Sequence, residues 1–412
     1  MTTTTGPGPH RAAGSTDSGA VQSDRNPAQT PGGFVATRPV RAEPPSGGRE
    51  STGPAGTAGS TVTSKPRPVL VTALFAGLVI AVVVISLTSV ALGQYGIGFG
   101  EAASSVLHKL SGPLRLGHPI HDQFAEATLW KVRMPRVVMS LMVGAALACA
   151  GALMQGVFGN PLADPGIIGV SSGAALGAAI VIMEGITFLG EFTVPAAAFV
   201  AGLAATLLVY FLSRAGGRTE VVTLVLTGIA VNAVSGAGLA FCTYFSSQTA
   251  MDQIVFWQLG SLNGSRWTFV QTVAPFLVVG GVGALVLARK LDLLALGDRA
   301  ARHVGVNVER LRLISIVLVA VMVAAAVSFS GIIGFVGLVV PHLIRMITGP
   351  GHRVLVPASV LGGAVLLASA DLAARTAVGY ADLPIGMLTA LVGGPFFFWM
   401  LRRTRARAGG WG

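Results

Sequence analysis

From Pro68 almost to the C-terminus, apolar runs of crossing length alternate with short polar breaks. A helix needs roughly 20 mostly apolar residues to traverse a bilayer. The pattern predicts ten such helices, over 69–92, 136–155, 167–184, 193–213, 221–245, 268–288, 311–329, 332–347, 354–374 and 385–401. The third is rich in Gly and Ala, and the eighth nearly abuts the seventh at Ser330-Gly331. Residues 1–67 read differently. Thirty-eight of them are Gly, Pro, Ser or Thr and Phe34 is the only aromatic, so the segment cannot bury enough apolar surface to offset its ordering entropy. It is expected to be a disordered cytoplasmic tail, and no apolar stretch behind Met1 marks a signal peptide. Residues 68–407 form the membrane domain. The fold expected is an all-α, polytopic membrane protein of about ten transmembrane helices.

Composition agrees with that pattern. Apolar residues make up 52% of the 412 and charged residues only 11%, where a soluble protein carries about one-quarter charge. The 28 Lys+Arg outnumber the 17 Asp+Glu, for a net charge of +11. This base is scattered between apolar runs instead of gathered on one aqueous face, which points away from nucleic acid and toward the positive-inside rule. With the N-terminus in the cytoplasm, the inner side collects sixteen Lys and Arg and the outer side seven. Both termini are therefore expected inside, in a multi-pass protein of the cell membrane. Cys149 and Cys242 sit within apolar runs with no metal-ligand spacing around them, and read as small apolar fillers.

Chemistry in the membrane would need clustered polar groups, and none is legible. The seven His make no HxxxH or HExxH pattern, so neither metal, cofactor nor catalytic residue is expected. No Lys stands in a GxxxxGK[ST] frame, which leaves the chain unable to drive itself with ATP. Carboxylates are nearly absent from the spans, which disfavours a secondary carrier with its ionisable relay. Three breaks stand out. In Met154-Gln-Gly-Val-Phe-Gly-Asn-Pro-Leu-Ala-Asp-Pro165, Gln155 is read either as lining a path or as capping or bonding a neighbouring helix. The inner loop 291–308 has apolar residues at helical spacing and reads as two short helices hinged at Gly297 and ended by Gly305, for a motor to grip or for lipid headgroups to hold. Arg133, Arg136 and Arg375 put charge on the outer side, either for an acidic partner or as snorkelling helix ends. Gly166-Ile-Ile-Gly169 is echoed by Gly331-Ile-Ile-Gly334 in the other half.

At these breaks the chain resembles the FecCD family, the permease subunits of ATP-binding-cassette importers for ferric siderophores, haem and vitamin B12. The resemblance runs from about 69 to 402. It is carried by Arg133-Met-Pro-Arg136, Gly151 to Pro165, Gly169-Val-Ser-Ser-Gly173, Gly228-Ile-Ala-Val-Asn232 and Trp257-Gln-Leu-Gly-Ser-Leu262. Leu296 to Gly305, Gly334 to His342 with Arg345, Asp371 with Arg375, and Leu383-Pro-Ile-Gly386 complete it. It implies a subunit that pairs with a second permease copy, identical or paralogous, around a central path. Cytoplasmic ATP-binding subunits would supply the energy by alternating access. It also implies that the loop at 291–308, with Leu296, Gly297, Asp298, Arg302 and Gly305, couples to those subunits. By the same resemblance Arg133, Arg136 and Arg375 would face an extracytoplasmic substrate-binding protein. Gln155 and Asn160 would lie beside the path, and Asn232 and His342 would bond neighbouring helices. Asp382 stands where the family often has Glu, and the long tail has no counterpart. A ferric siderophore is the expected substrate, with haem or a corrinoid next.

Overall fold

A computed structural model describes residues 68–407 apart from Gln94, Arg115, Gly216, Gly217 and Tyr380. The segment expected to be a disordered tail lies outside the described residues. The chain runs through α1 (Pro68–Ala91), α2 (Phe99–Leu110) and the short α3 (Gln123–Thr128). A π-helical turn, Leu129–Arg133, carries α3 into α4 (Met134–Phe158). Then come α5 (Val170–Met183), α6 (Thr193–Leu212), α7 (Val221–Phe245), α8 (Gln248–Leu259) and α9 (Trp267–Leu294). The series ends with α10 (Asp298–His303), α11 (Val308–Ser330), α12 (Val336–Thr348), α13 (His352–Thr376) and α14 (Ile385–Arg407). Two paired two-residue strands, β1 (Arg214–Ala215) and β2 (Arg218–Thr219), join α6 to α7.

Seven of these segments are long and apolar enough to cross a membrane, and α5, α12 and the Ile385–Trp399 part of α14 are shorter apolar helices. Together they coincide with the ten runs read from the sequence: the protein is an all-α polytopic membrane protein. Three helices were not anticipated, the six-residue α3 and the longer α2 and α8. Each of the last two has 12 residues, about 18 Å of helix, too little for a crossing. The faces named inner and outer below follow the positive-inside assignment.

Apolarity on every face of a helix means burial either in protein or in lipid, and the bundle uses both. In the most apolar stretch of each helix, 78% of residues are buried in the segment containing α4 and 67% in α11, against 0% in α1 and 17% in α7. α4 is thus the axis, packed on α9, α11, α12 and α13. Val143, Leu147, Leu153, Val319, Val323 and Leu367 fill the space around it. Lipid offers helices little hydrophobic drive to associate, so close backbone packing must hold them. Gly144 and Gly363 supply it: a Cβ on either would collide with the other's carbonyl oxygen.

Each copy of the Gly-Ile-Ile-Gly echo precedes a short apolar helix. The first copy contributes to the 3₁₀ turn Pro165–Ile168 that leads into α5, and the second is the non-helical stretch before α12. These are the two shortest apolar helices, 14 and 13 residues, about 20 Å against a hydrocarbon core of about 30 Å. They are third and eighth among the ten apolar segments, so they run in opposite senses, as elements related by an inverted repeat would.

The lead-in to α12 is also a junction. Ser261 N–H donates to Ser330 O (2.8 Å), and Ile385 N–H donates to Gly260 O (2.9 Å). A Cβ on Gly260 would stand 2.5 Å from Ile332 O, and Gly331 and Gly386 are equally crowded by carbonyls of Trp257, Ile332 and Leu259. The ends of α8, α11 and α14 therefore meet backbone to backbone. Phe335 closes this stretch with φ +67°, the only positive φ outside glycine among the described residues.

Candidate functional site

The outer arginines come first, because their geometry differs from the exposed ion-pairing role read from the sequence. Arg133 leaves the π-helical turn and sends Nη1 to Val90 O and Ala91 O, 2.8 Å each, with Nη2 donating to Tyr95 O. Arg375, at the last turn of α13, donates through Nη1 to Leu92 O (3.0 Å) and through Nη2 to both oxygens of Ser89. The last carbonyls of a helix have no partner inside it; here two guanidiniums from other helices cap the end of α1. Arg136 pairs with Asp371 (Nε to Oδ1, 2.9 Å) and with Asp382 (Nη1 to Oδ2, 2.8 Å). Asp371 is fully buried, and its second oxygen lies 3.7 Å from Arg375 Nε. Three arginines against two carboxylates leave the cluster one charge positive. It lines a cleft of about 280 Å³ together with Asn263. Sequence reading had placed Asp371 beside Arg375; that Asp382 would reach across 246 positions to Arg136 had no local signal.

The path candidates are likewise engaged within the chain. Gln155 is 1% exposed and faces no open space in this conformation. Its Nε2 donates to Leu338 O (3.2 Å) and its Oε1 accepts from Arg345 Nη2 (3.3 Å), which ties α4 to α12. Of the two readings open for this residue, the helix-to-helix bond is the one seen. Asn160 is exposed, and its Oδ1 accepts from Leu162 N–H (2.9 Å), closing a local turn of the kind Asn favours. Asn232 bridges α7 to the turn before α5, donating to Gly166 O (3.2 Å) and accepting from Ser172 Oγ (2.5 Å).

On the inner face the loop at 291–308 is structured. α9 continues to Leu294, and Gly297 (φ +100°) breaks it before α10; Gly305 (φ +85°) ends α10. That is the expected pair of helical pieces hinged at Gly297, the first being the end of α9. Asn307 then caps α11 by accepting from Arg310 N–H (2.9 Å). Leu296 is 71% exposed, an apolar side chain left uncovered among the described residues, while Ala301 on α10 is fully buried. Asp298 accepts from Arg312 Nη2 (3.0 Å), and Arg302 lies 3.6 Å from its other oxygen.

Arg312 is the residue sequence reasoning missed. It also donates to Thr219 O (3.2 Å), while Glu309 accepts from Thr219 N–H (2.9 Å). The β1–β2 ribbon and α10 are thereby fastened to the same turn of α11. Nearby, Asp292 accepts from the backbone N–H of His352 (2.6 Å), 2.9 Å from its Nδ1, which anchors the end of α9 to the start of α13. Among the described residues no cluster of His, Cys, Asp or Glu could hold a metal ion.

The arrangement is a bundle with a close-packed interior, a charged outer cleft and a braced inner loop. Comparison with known proteins decides its family. The profile of the FecCD transport family matches residues 78–403. The chain belongs to the FecCD transport family. It is an ABC importer permease, of a family whose members are transport subunits. The hemin transport system permease protein HmuU of Yersinia pestis is 43% identical over 68% of this permease and 85% of that protein. The cobalamin import system permease protein BtuC of Halobacterium salinarum is 42% identical over 72% and 79% of the two chains. The Fe(3+) dicitrate transport system permease protein FecD of Escherichia coli is 40% identical over 67% and 86%. A solved metal-chelate type ABC transporter in an inward-facing conformation superposes with a TM-score of 0.71 at 31% identity, over 81% of this permease and 99% of that chain.

Proposed function

We propose that this permease moves ferric siderophores into the cytoplasm by alternating access, between a substrate-binding protein outside and two ATP-binding subunits inside. The observation that carries the mechanism is the inner loop. A bare leucine in the turn just before a short helix, with that helix held to α11 through Asp298 and Arg312, is a rigid foot for a motor that this chain does not contain. Coupling then runs through Leu296, Gly297, Asp298, Arg302 and Gly305. A second permease copy is needed because the interior is close-packed around α4, with Ala148, Ala152, Leu153 and Val319 wholly buried. A chelate has no room within one subunit, so its path lies on the subunit's surface, against the other copy. Gln155 and Asn160 would flank that path only after a rearrangement that releases their present bonds.

Binding-protein docking is assigned to the outer cleft of Arg133, Arg136 and Arg375. Most of their donors are taken, so they act by their excess positive charge on approaching carboxylates, which favours register and on-rate. The substrate class rests on relatives whose names share metal chelates. Haem or a corrinoid is the second reading, favoured by the identities of 43% and 42% to permeases named for hemin and cobalamin.

The test is uptake of radioiron-loaded hydroxamate and catecholate siderophores, hemin and cobalamin in cells deleted for this chain. Siderophore uptake should fall and return with the wild-type chain. Loss confined to hemin or to cobalamin would replace the siderophore reading with the corresponding one.

A further inference from the structure

A groove of about 1110 Å³ lies between α9 and α11 at the surface of the bundle, toward their inner ends. One wall is aliphatic, with Val279, Val282 and Val286 on α9, and Ile314 and Leu318 on α11. The inner end carries Arg289, Lys290 and Arg310. On α9 the lining positions step by three or four residues from 279 to 293, which keeps them on one face. All three cations are exposed, and no ion pair or hydrogen bond of the described residues employs their side chains. The carboxylates that could neutralise them are engaged elsewhere: Asp292 with His352, Asp298 with Arg312, and Glu309 with the Thr219 amide. From Val278 to Lys290 the helix rises about 18 Å, close to the ~15 Å half-thickness of a hydrocarbon core.

A site that is apolar for the depth of one leaflet and then triply cationic at headgroup level complements one occupant. We propose that this groove holds an anionic diacyl phospholipid of the inner leaflet, its phosphate bonded by Arg289, Lys290 and Arg310 and its chains along the valine wall. Basic pockets between transmembrane helices on the cytoplasmic side take such headgroups. The inner lip of the groove is Val304, Gly305 and Val306, so the lipid would rest against the end of α10. This inference goes beyond the import reading and holds whichever chelate is carried.

Native mass spectrometry of the purified full-length protein, titrated with dioleoylphosphatidylglycerol or dioleoylphosphatidylcholine, tests it. The wild type should retain the anionic lipid in preference to the zwitterionic one. Arg289→Gln with Lys290→Gln and Arg310→Gln should cut anionic-lipid retention about tenfold. Val282→Trp, which fills the wall and leaves the charges, should also weaken it, whereas Arg353→Gln, an exposed cation outside the groove, should not. Undiminished retention in both the triple variant and Val282→Trp overturns the proposal. An equal loss in Arg353→Gln does so too, since diffuse charge then accounts for the binding. If the triple variant sheds its ATP-binding subunits but keeps the lipid, the cations belong to a protein contact and the proposal fails.

Discussion

The two faces of this permease use arginine in opposite ways. Outside, Arg133 and Arg136 are buried and Arg375 is partly so, and most of their donors are spent on the end of α1 and on Asp371 and Asp382. Inside, Arg289, Lys290 and Arg310 stand exposed with no partner in the described chain. Charge counting treats the two sets alike, yet the inner set is wholly unpaired, whereas the outer set offers lipid, partner or topology only its one uncompensated charge. The outer set violates the positive-inside rule at reduced cost, because two of its three charges are offset by Asp371 and Asp382 and the third is bonded to carbonyls at the end of α1. The lesson is that a cation's topological weight depends on whether its field is already neutralised.

The sharpest break of this comparison is Arg136→Met. It strands the wholly buried Asp371, and removing one partner of a buried pair costs about 3 kcal/mol or more. Thermal unfolding of purified protein in detergent should show the largest fall of any single change here. Replacing Asp371 and Asp382 by Leu in the same chain should restore part of the loss. Next, Arg375→Gln removes charged donors from carbonyls at the end of α1 and should cost about 2 kcal/mol by the same assay. Arg312→Gln frees α10 from the β1–β2 ribbon and should cost about 1 kcal/mol; chelate uptake should nonetheless fall steeply while ATP hydrolysis by the partner subunits continues. Leu296→Asp should change stability by less than about 0.5 kcal/mol, but the ATP-binding subunits should no longer co-purify. An intact complex in that variant would move the motor contact elsewhere.

The smallest effect is a titration. Tyr95 Oη donates to Asp122 (2.5 Å), which holds the Asp122 carboxyl below its usual range with help from the Phe124 amide, and raises the Tyr95 phenol. A lowered carboxylate contributes stability above its unfolded pKa and loses it as pH falls through the folded one. Tyr95→Phe should therefore return the Asp122 titration upward toward the ordinary carboxylate value, as read by carbon NMR of labelled protein. The stability this bond contributes should be missing at neutral pH, and the variant and wild type should converge as pH falls through the folded Asp122 titration.

Much of this architecture is readable from run length alone. A crossing must be long and apolar, and that demand leaves ten segments visible without any knowledge of contacts. α2 and α8 escape because at 12 residues they answer to the surface and not to the bilayer. The helical turns ahead of 136 escape because charge and Pro135 interrupt the apolar run of a helix that in fact begins with α3 and passes through the π-helical turn. The hinge at Gly297 is legible because glycine is the local solution to a left-handed backbone. Arg312 is not, since its meaning depends on Thr219, 93 positions away. The outer arginines show the same limit: their presence was legible, and their engagement with α1 and Asp382 was not.

The junction of Gly260, Gly331 and Gly386 gives α11 a role beyond packing. One end of that helix is welded to the ends of α8 and α14 without side chains between them to flex, and the other carries Arg312 and the brace on α10. Twenty-three residues separate the two ends, about 35 Å of uninterrupted helix. α11 is a connecting rod: a push on the inner foot has no soft joint to absorb it before it reaches the outer half of the subunit.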